Sequence, residues 1–387
     1  MDGGEYGRRV SGMRNEAGGE SMNGKCILIT GAGGFLGRFI LDRYMTHYPH
    51  TLYLLEHGPF LGKLRAHIER TYPEAEKSGR VRIFEGDITQ AGLALDAAVR
   101  ADIQEHVTGV IHLAALYHLA APRDALMKIN VDGTRNLLDF CRETPRLERF
   151  GHISTLAVAG TYVGTFADTD FEKGQGFKNY YEETKYLAEK LVRERMHEIP
   201  SVIFRPPVVV GHSKTGYIEK VDGPYYLLET VSRNLHVIMP DCPVKCHVAP
   251  ADFVTDGIVE VFEKDDSALG RACCLMDPDP VTFNTFLDLA CEHSPKFKPL
   301  MRVPYNVMRP IARFSVFEKL SGIPWQAFQY GNQPIEYEFS ESTERLAALG
   351  LRCPRVPDYI AALVRYYKEH LQDKTIRRGG WRNMLKP

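Results

Sequence analysis

Two sets of residues have types and spacings that could do chemistry. The first is Tyr181 and Lys185, in Tyr-Glu-Glu-Thr-Lys. Within a helical run over residues 179–197, a separation of four puts both side chains on one face. An ammonium there favours phenolate and can hold a ribose hydroxyl, so the phenol can protonate a carbonyl oxygen that receives hydride. Ser154 and Thr155, ending a strand upstream, could donate to the same oxygen. The second set is Gly31, Gly34 and Gly37, in Thr-Gly-Ala-Gly-Gly-Phe-Leu-Gly over residues 30–37. The missing side chains permit a tight turn and let a pyrophosphate sit against a helix's N-terminal amides. Glycine repeats alone also describe a bare turn; a strand before them and an apolar helix after them are the context that dinucleotide binding requires.

That context is present. Residues 25–30 read as a strand, and residues 35–48 as a helix with Phe35, Leu36, Phe39, Ile40 and Tyr44 at three-to-four spacing. Further strands are expected at 52–55, 81–84, 110–113, 150–154 and 202–204, with helical runs between most of them. The expected fold is α/β, a Rossmann-type doubly wound parallel sheet with a smaller C-terminal substrate-binding lobe. Residues 1–22 read as a flexible extension, 23–211 as the dinucleotide-binding domain, 212–371 as a mixed lobe interleaved with the last strands, and 372–387 as a basic tail. Within the lobe, helices are expected at 283–291 and 356–371.

Composition limits the function classes. A chain of 387 residues, 44% hydrophobic and 25% charged, has enough apolar residues to bury a core. A formal net charge of −1 supplies no field for a polyanion, so a nucleic-acid partner is not expected. No apolar run reaches the roughly 18 residues of a membrane span. Eight scattered cysteines do not form a dense disulfide framework, and a reduced, cytoplasmic protein is the expectation.

Glu56, at the end of the second strand, can accept hydrogen bonds from the adenosine ribose and would repel a 2′-phosphate, which favours NAD(H) over NADP(H). Lys63 and Arg65 follow closely and could hold that phosphate instead. Asp87 is placed to meet the adenine amino group, or to serve as an ordinary helix N-cap. Cys242, Cys246 and His247 lack a fourth ligand and the tight spacing of a structural zinc site, so no metal is expected. Cys273 and Cys274 read as buried core. His112 and His118, flanking the fourth strand, read as packed or hydrogen-bonded rather than catalytic.

Taken together, residues 30–37, Gly86-Asp87-Ile88, His112-Leu113-Ala114-Ala115, Asn130-Val131-Asp132-Gly133-Thr134, Ser154-Thr155, residues 181–185 and Arg205-Pro206-Pro207-Val208-Val209-Val210-Gly211 resemble the extended short-chain dehydrogenase/reductase superfamily over about residues 24–371. The resemblance implies Tyr181 as acid/base, Lys185 as its partner and Thr155 as the third catalytic hydroxyl, with Val158 and Gly160 marking the turn that follows. It implies cofactor contacts from Phe35, Leu36, Ile88, Ala114, Ala115, Asn130 and Ser154, with Pro206 and Val208 near the nicotinamide. The string His152-Ile153-Ser154-Thr155-Leu156-Ala157-Val158 is most similar to the thioester-reductase and fatty acyl-CoA reductase branch. Members of that branch deliver hydride to an acyl thioester or the derived aldehyde. They typically carry an arginine just after the second strand, where this chain has Glu56-His57.

Three functions compete. The first is an NAD(P)H-dependent reductase of an apolar thioester, aldehyde or ketone. The others are a nucleotide-sugar epimerase of similar architecture and a non-catalytic dinucleotide-binding protein. The expected partner is a small apolar molecule, with a homodimer compatible with the sequence. The aromatic stretch 301–325 is expected to wall the substrate pocket around Phe314, Phe317 and Trp325, with Arg309 and Arg313 as the cations that could serve a sugar diphosphate.

Overall fold

The computed structural model describes residues 24–220, 222–294 and 298–370, so the expected extension at 1–22 and the tail at 372–387 lie outside the described residues. A seven-stranded sheet dominates. Its order is Val81–Glu85 (β3), Thr51–Glu56 (β2), Cys26–Thr30 (β1), Gly109–His112 (β4), Arg149–Ile153 (β5), then Ser201–Arg205 and Ala272–Cys274. Every neighbouring pair is parallel. The six strands expected from sequence are present to within one residue at each end.

These strands read as continuous apolar runs because both faces of the sheet are covered. Along β1, Ile27 and Ile29 point into a layer shared with Ile40, Leu41 and Tyr44 of the helix Phe35–His47 (α1) and with Phe253, Val254 and Ile258 of the helix Ala251–Lys264. Cys26 and Leu28 point the other way, against Ile103, Leu137, Leu138 and Val192. The strand order reverses between β1 and β4, where a crevice opens at the carboxyl ends of the strands.

The lobe packs on two smaller cores. One joins Val210, Tyr225 and Phe286 to Tyr359, Ile360 and Leu363 of the helix Val356–Glu369. The other joins Met239, Leu287, Tyr305 and Phe328. Short parallel pairs tie the lobe to the sheet domain, Val248–Pro250 beside Val208–Val210 and Ile335–Glu338 beside Gly164–Ala167.

Candidate active site

A cleft of about 910 Å³ runs from the crevice at β1 and β4 into the lobe. The glycine loop forms one end. Gly31 has φ +76°, and a Cβ there would lie 2.8 Å from the Ala114 backbone nitrogen, so the ends of β1 and β4 meet only because Gly31 has no side chain. At Gly37 a Cβ would strike the Gly31 carbonyl oxygen, whereas at Gly34 the nearest atom is that same oxygen at 3.2 Å and the rest of the space is open cleft. The first-turn amides of α1 follow directly, with no side chain capping them. A dinucleotide's pyrophosphate fits this cradle.

Phe35, Leu36, Asp87, Ile88, Ala114, Ala115, Ser154, Thr155, Tyr181, Lys185, Pro206 and Val208 all line the cleft, as do Gly31, Gly34, Gly37 and Glu56. Asn130 is not among the lining residues. It is buried behind the wall, where its amide accepts from the Leu116 N–H at 2.8 Å and donates to the Leu116 carbonyl at 3.2 Å, holding the segment after β4. The Glu56 carboxylate accepts from the Gly33 N–H at 2.6 Å and the His57 N–H at 3.2 Å; burial pushes its pKa up and those amides oppose the rise. Lys63 lines the cleft beside it, while Arg65 does not and instead pairs with Glu76. Asp87 accepts from the Thr89 N–H at 2.8 Å, a local turn rather than a helix cap. His112 is buried between the hydroxyls of Thr30 and Thr134, at 2.8 and 3.1 Å.

Tyr181 stands where the two halves of the cleft join. Its helix, Tyr180–Glu194, starts where Asn179 accepts from the Glu182 N–H at 3.0 Å. Burial raises the phenol's pKa, and a hydrogen bond from Thr155 opposes the rise. The Thr155 hydroxyl accepts from the Ala157 N–H at 3.2 Å, so its proton is directed elsewhere. The Lys185 ammonium donates to the Ile153 carbonyl at 2.6 Å, and burial pulls its pKa down to about 8. In this geometry the Lys185 ammonium is anchored at the end of β5, and the Thr155 hydroxyl is a neighbour that favours phenolate. At neutral pH the phenol keeps its proton.

Several residues of the site carry no motif. Glu189, wholly buried, accepts from Ser154 Oγ at 2.5 Å and from Arg205 Nη2 at 2.6 Å, which locks the end of β5 to the helix of Tyr181. The spacing 181, 185, 189 places it on the same helix face, a signal available in the sequence. Its anion also resists the fall in the Lys185 pKa. Glu189→Gln is therefore expected to cost about 3–5 kcal/mol by stranding the buried Arg205. It should also let the Lys185 pKa fall further, since the Glu189 anion opposes that fall; chemical denaturation and NMR titration of the ammonium check the two effects. Tyr117 packs edge-on to Tyr181 with ring centroids 4.9 Å apart. Tyr330 donates to Glu182 at 2.7 Å, bringing the lobe down beside the helix of Tyr181.

The lobe half of the cleft is lined by Tyr226, Leu227, Met239, Phe283, Leu287, Ile323 and Phe328. The expected wall at Phe314, Phe317 and Trp325 is not there. Phe317 and Trp325 pack against the lobe core behind Phe328, and Phe314 is 68% exposed on the outer surface. Arg309 and Arg313 are exposed as well. Among the described residues no arginine lines the cleft. Cys242, Cys246 and His247 line its lobe side, the thiols with pKa values raised by burial and the imidazole held neutral at about 4. Cys273 and Cys274 are buried, free thiols.

The sheet order and the crevice at its switch point define a Rossmann-type α/β protein. The chain belongs to the NAD-binding family described as male sterility protein, whose profile matches residues 29–258. It is 26% identical over 275 residues to the fatty acyl-CoA reductase wat of Drosophila melanogaster, an alignment covering 61% of this chain and 53% of that protein. Against the non-canonical nonribosomal peptide synthetase cpsA of Aspergillus campestris the identity is 26% over 306 residues, 72% of this chain and 28% of the other. The chain thus spans about half the length, or less, of these curated relatives. Among solved structures, the terminal R domain from the myxalamid PKS-NRPS biosynthetic pathway superposes with a TM-score of 0.75 at 22% identity, covering 92% of this chain and 93% of that one. UDP-glucuronic acid 4-epimerase from Bacillus cereus, in complex with NAD, gives 0.63 at 18% identity, covering 92% and 99%. The reductase relatives lie on the branch that the sequence resembles.

Proposed function

We propose that this protein is an NAD(P)H-dependent reductase of an apolar acyl thioester or the derived aldehyde. The observation that carries the reading is one continuous cleft, with Tyr181 at the junction of a glycine-loop half and an apolar lobe half. A nicotinamide dinucleotide held along the glycine loop would supply the hydride. Tyr181, kept protonated by burial, donates its proton to the carbonyl oxygen as charge develops there. Thr155 donates to the same oxygen, or to the phenolate that remains. Lys185 holds the nicotinamide ribose and offsets the negative charge left on Tyr181. The apolar lobe side chains exclude water from the reacting carbon.

An epimerase would share the glycine loop and the Tyr/Lys pair, but a sugar diphosphate calls for convergent arginine or lysine donors. The lobe half offers Lys220, already beside Asp222 at 3.5 Å, and Lys245. Isothermal titration decides between the readings: micromolar affinity for a medium-chain acyl-CoA and none for UDP-sugars supports the reductase, and the reverse result overturns it.

For the cofactor, NADH is expected over NADPH, because a 2′-phosphate would face the Glu56 carboxylate. Glu56→Ala should narrow that preference by about tenfold or more, since like-charge juxtaposition costs on the order of several kcal/mol. The ratio of kcat/KM for NADH and NADPH measures it. A wild-type preference for NADPH would assign the local field to Lys63.

A further inference from the structure

Of the twelve large hydrophobic side chains exposed among the described residues, eight belong to one small region of the lobe: Val237, Ile238, Leu300, Met301, Val307, Ile311, Phe314 and Val316. Val237, Ile238, Leu300 and Met301 adjoin across paired strands, and the other four lie on the two helices that follow directly. Met301 and Ile238 are register partners of the two-stranded pair Met301–Pro304 and Ile238–Asp241. Val307 and Ile311 lie four apart on the outer side of the helix Tyr305–Ala312, whose inner side buries Tyr305 and Ala312. Phe314 and Val316, 68% and 60% exposed, open the next helix, Ser315–Ser321. A grouped apolar surface of this kind marks an interaction site rather than scattered exposure.

Charge narrows the partner. Arg309, Arg313 and Lys319 are exposed and enter no ion pair among the described residues; along the helix Tyr305–Ala312, Arg309 and Arg313 project from the flank opposite Val307 and Ile311. Arg309 and Arg313 share one flank of the helix, and the Arg313 guanidinium lies over the Trp325 ring, 5.3 Å from its centre. Glu318 is the lone acidic residue across 298–319, in a chain whose net charge is −1. Exposed apolar side chains with arginine and lysine on the same helices match an interface between water and an anionic lipid surface, with the apolar groups in the acyl boundary and the cations among the headgroups. The segment that follows carries Ile323 and Phe328 into the cleft wall, so the surface and the substrate chamber share a wall.

We propose that this face docks the protein onto the surface of an anionic bilayer. The shared wall gains meaning from the apolar-substrate reading, whereas the surface itself does not depend on it. Co-sedimentation with vesicles of phosphatidylcholine, with and without phosphatidylserine, tests the proposal independently of turnover. Binding is expected to vesicles containing phosphatidylserine and to weaken as salt rises. The double variant Ile311→Asp, Phe314→Asp should lose it, and Arg309→Glu, Arg313→Glu should reduce it roughly tenfold or more. All four residues are exposed, so unchanged melting temperatures should accompany these losses. The proposal is overturned by wild type that ignores phosphatidylserine vesicles, whether alone, while self-associating through this face, or while binding a carrier domain there.

Discussion

Tyr181→Phe is expected to lower turnover by about 10²- to 10⁴-fold, the usual contribution of a positioned general acid. The ring, its packing against Tyr117 and its place at the cleft junction all stay, so dinucleotide affinity should be nearly unchanged. The loss follows because the phenol holds a proton at neutral pH and phenylalanine has none to give. Single-turnover oxidation of the reduced cofactor, with its affinity titrated separately, reads both quantities. A variant that keeps half its rate would remove Tyr181 from the chemistry.

Gly34→Val is expected to reduce dinucleotide affinity strongly while leaving the fold intact, because the pyrophosphate can approach the loop backbone only where no side chain intervenes. Gly34 sits in extended backbone, φ −74° and ψ 172°, which valine adopts without strain. Its side chain would extend past the Gly31 oxygen into the space the pyrophosphate needs. Gly37→Ala is the contrast: its methyl would collide with the Gly31 oxygen and with Ala32, so stability should fall together with binding. Fluorescence titration with reduced cofactor, beside thermal melting, separates the two. Unaltered titration of Gly34→Val would make the loop a bare turn.

The sheet domain is legible in the sequence because its signal is local. A strand such as Cys26–Thr30 is apolar at every position, α1 carries its buried residues at three-to-four spacing, and glycines mark where the two join. The substrate wall is not legible in the same way. An aromatic run such as 314–325 has the same composition whether it faces a cavity or solvent, and the chain turns Phe314, Phe317 and Trp325 away from the cleft. The cavity is built instead from Leu227, Phe283, Leu287 and Phe328, which meet only after the lobe folds. Tyr330 is equally hidden, since its bond to Glu182 spans 148 residues and follows no periodicity. Asn130 lies in a segment whose motif implies a cofactor contact, yet its amide satisfies the buried peptide of Leu116. Motif position tells which segment matters, while side-chain direction comes from packing.

In the proposed reaction the cleft moves hydride from a reduced nicotinamide to the carbonyl of an apolar acyl compound, with Tyr181 supplying the proton. Deuterium at the transferable position of reduced cofactor tests it most directly. Purified protein incubated with labelled NADH or NADPH and a medium-chain acyl-CoA or long-chain aldehyde should place deuterium on the former carbonyl carbon of the product, and Tyr181→Phe should slow that transfer by about 10²- to 10⁴-fold. Label that stays on the cofactor with every apolar substrate, while UDP-sugars are epimerised by the same preparation, would contradict it.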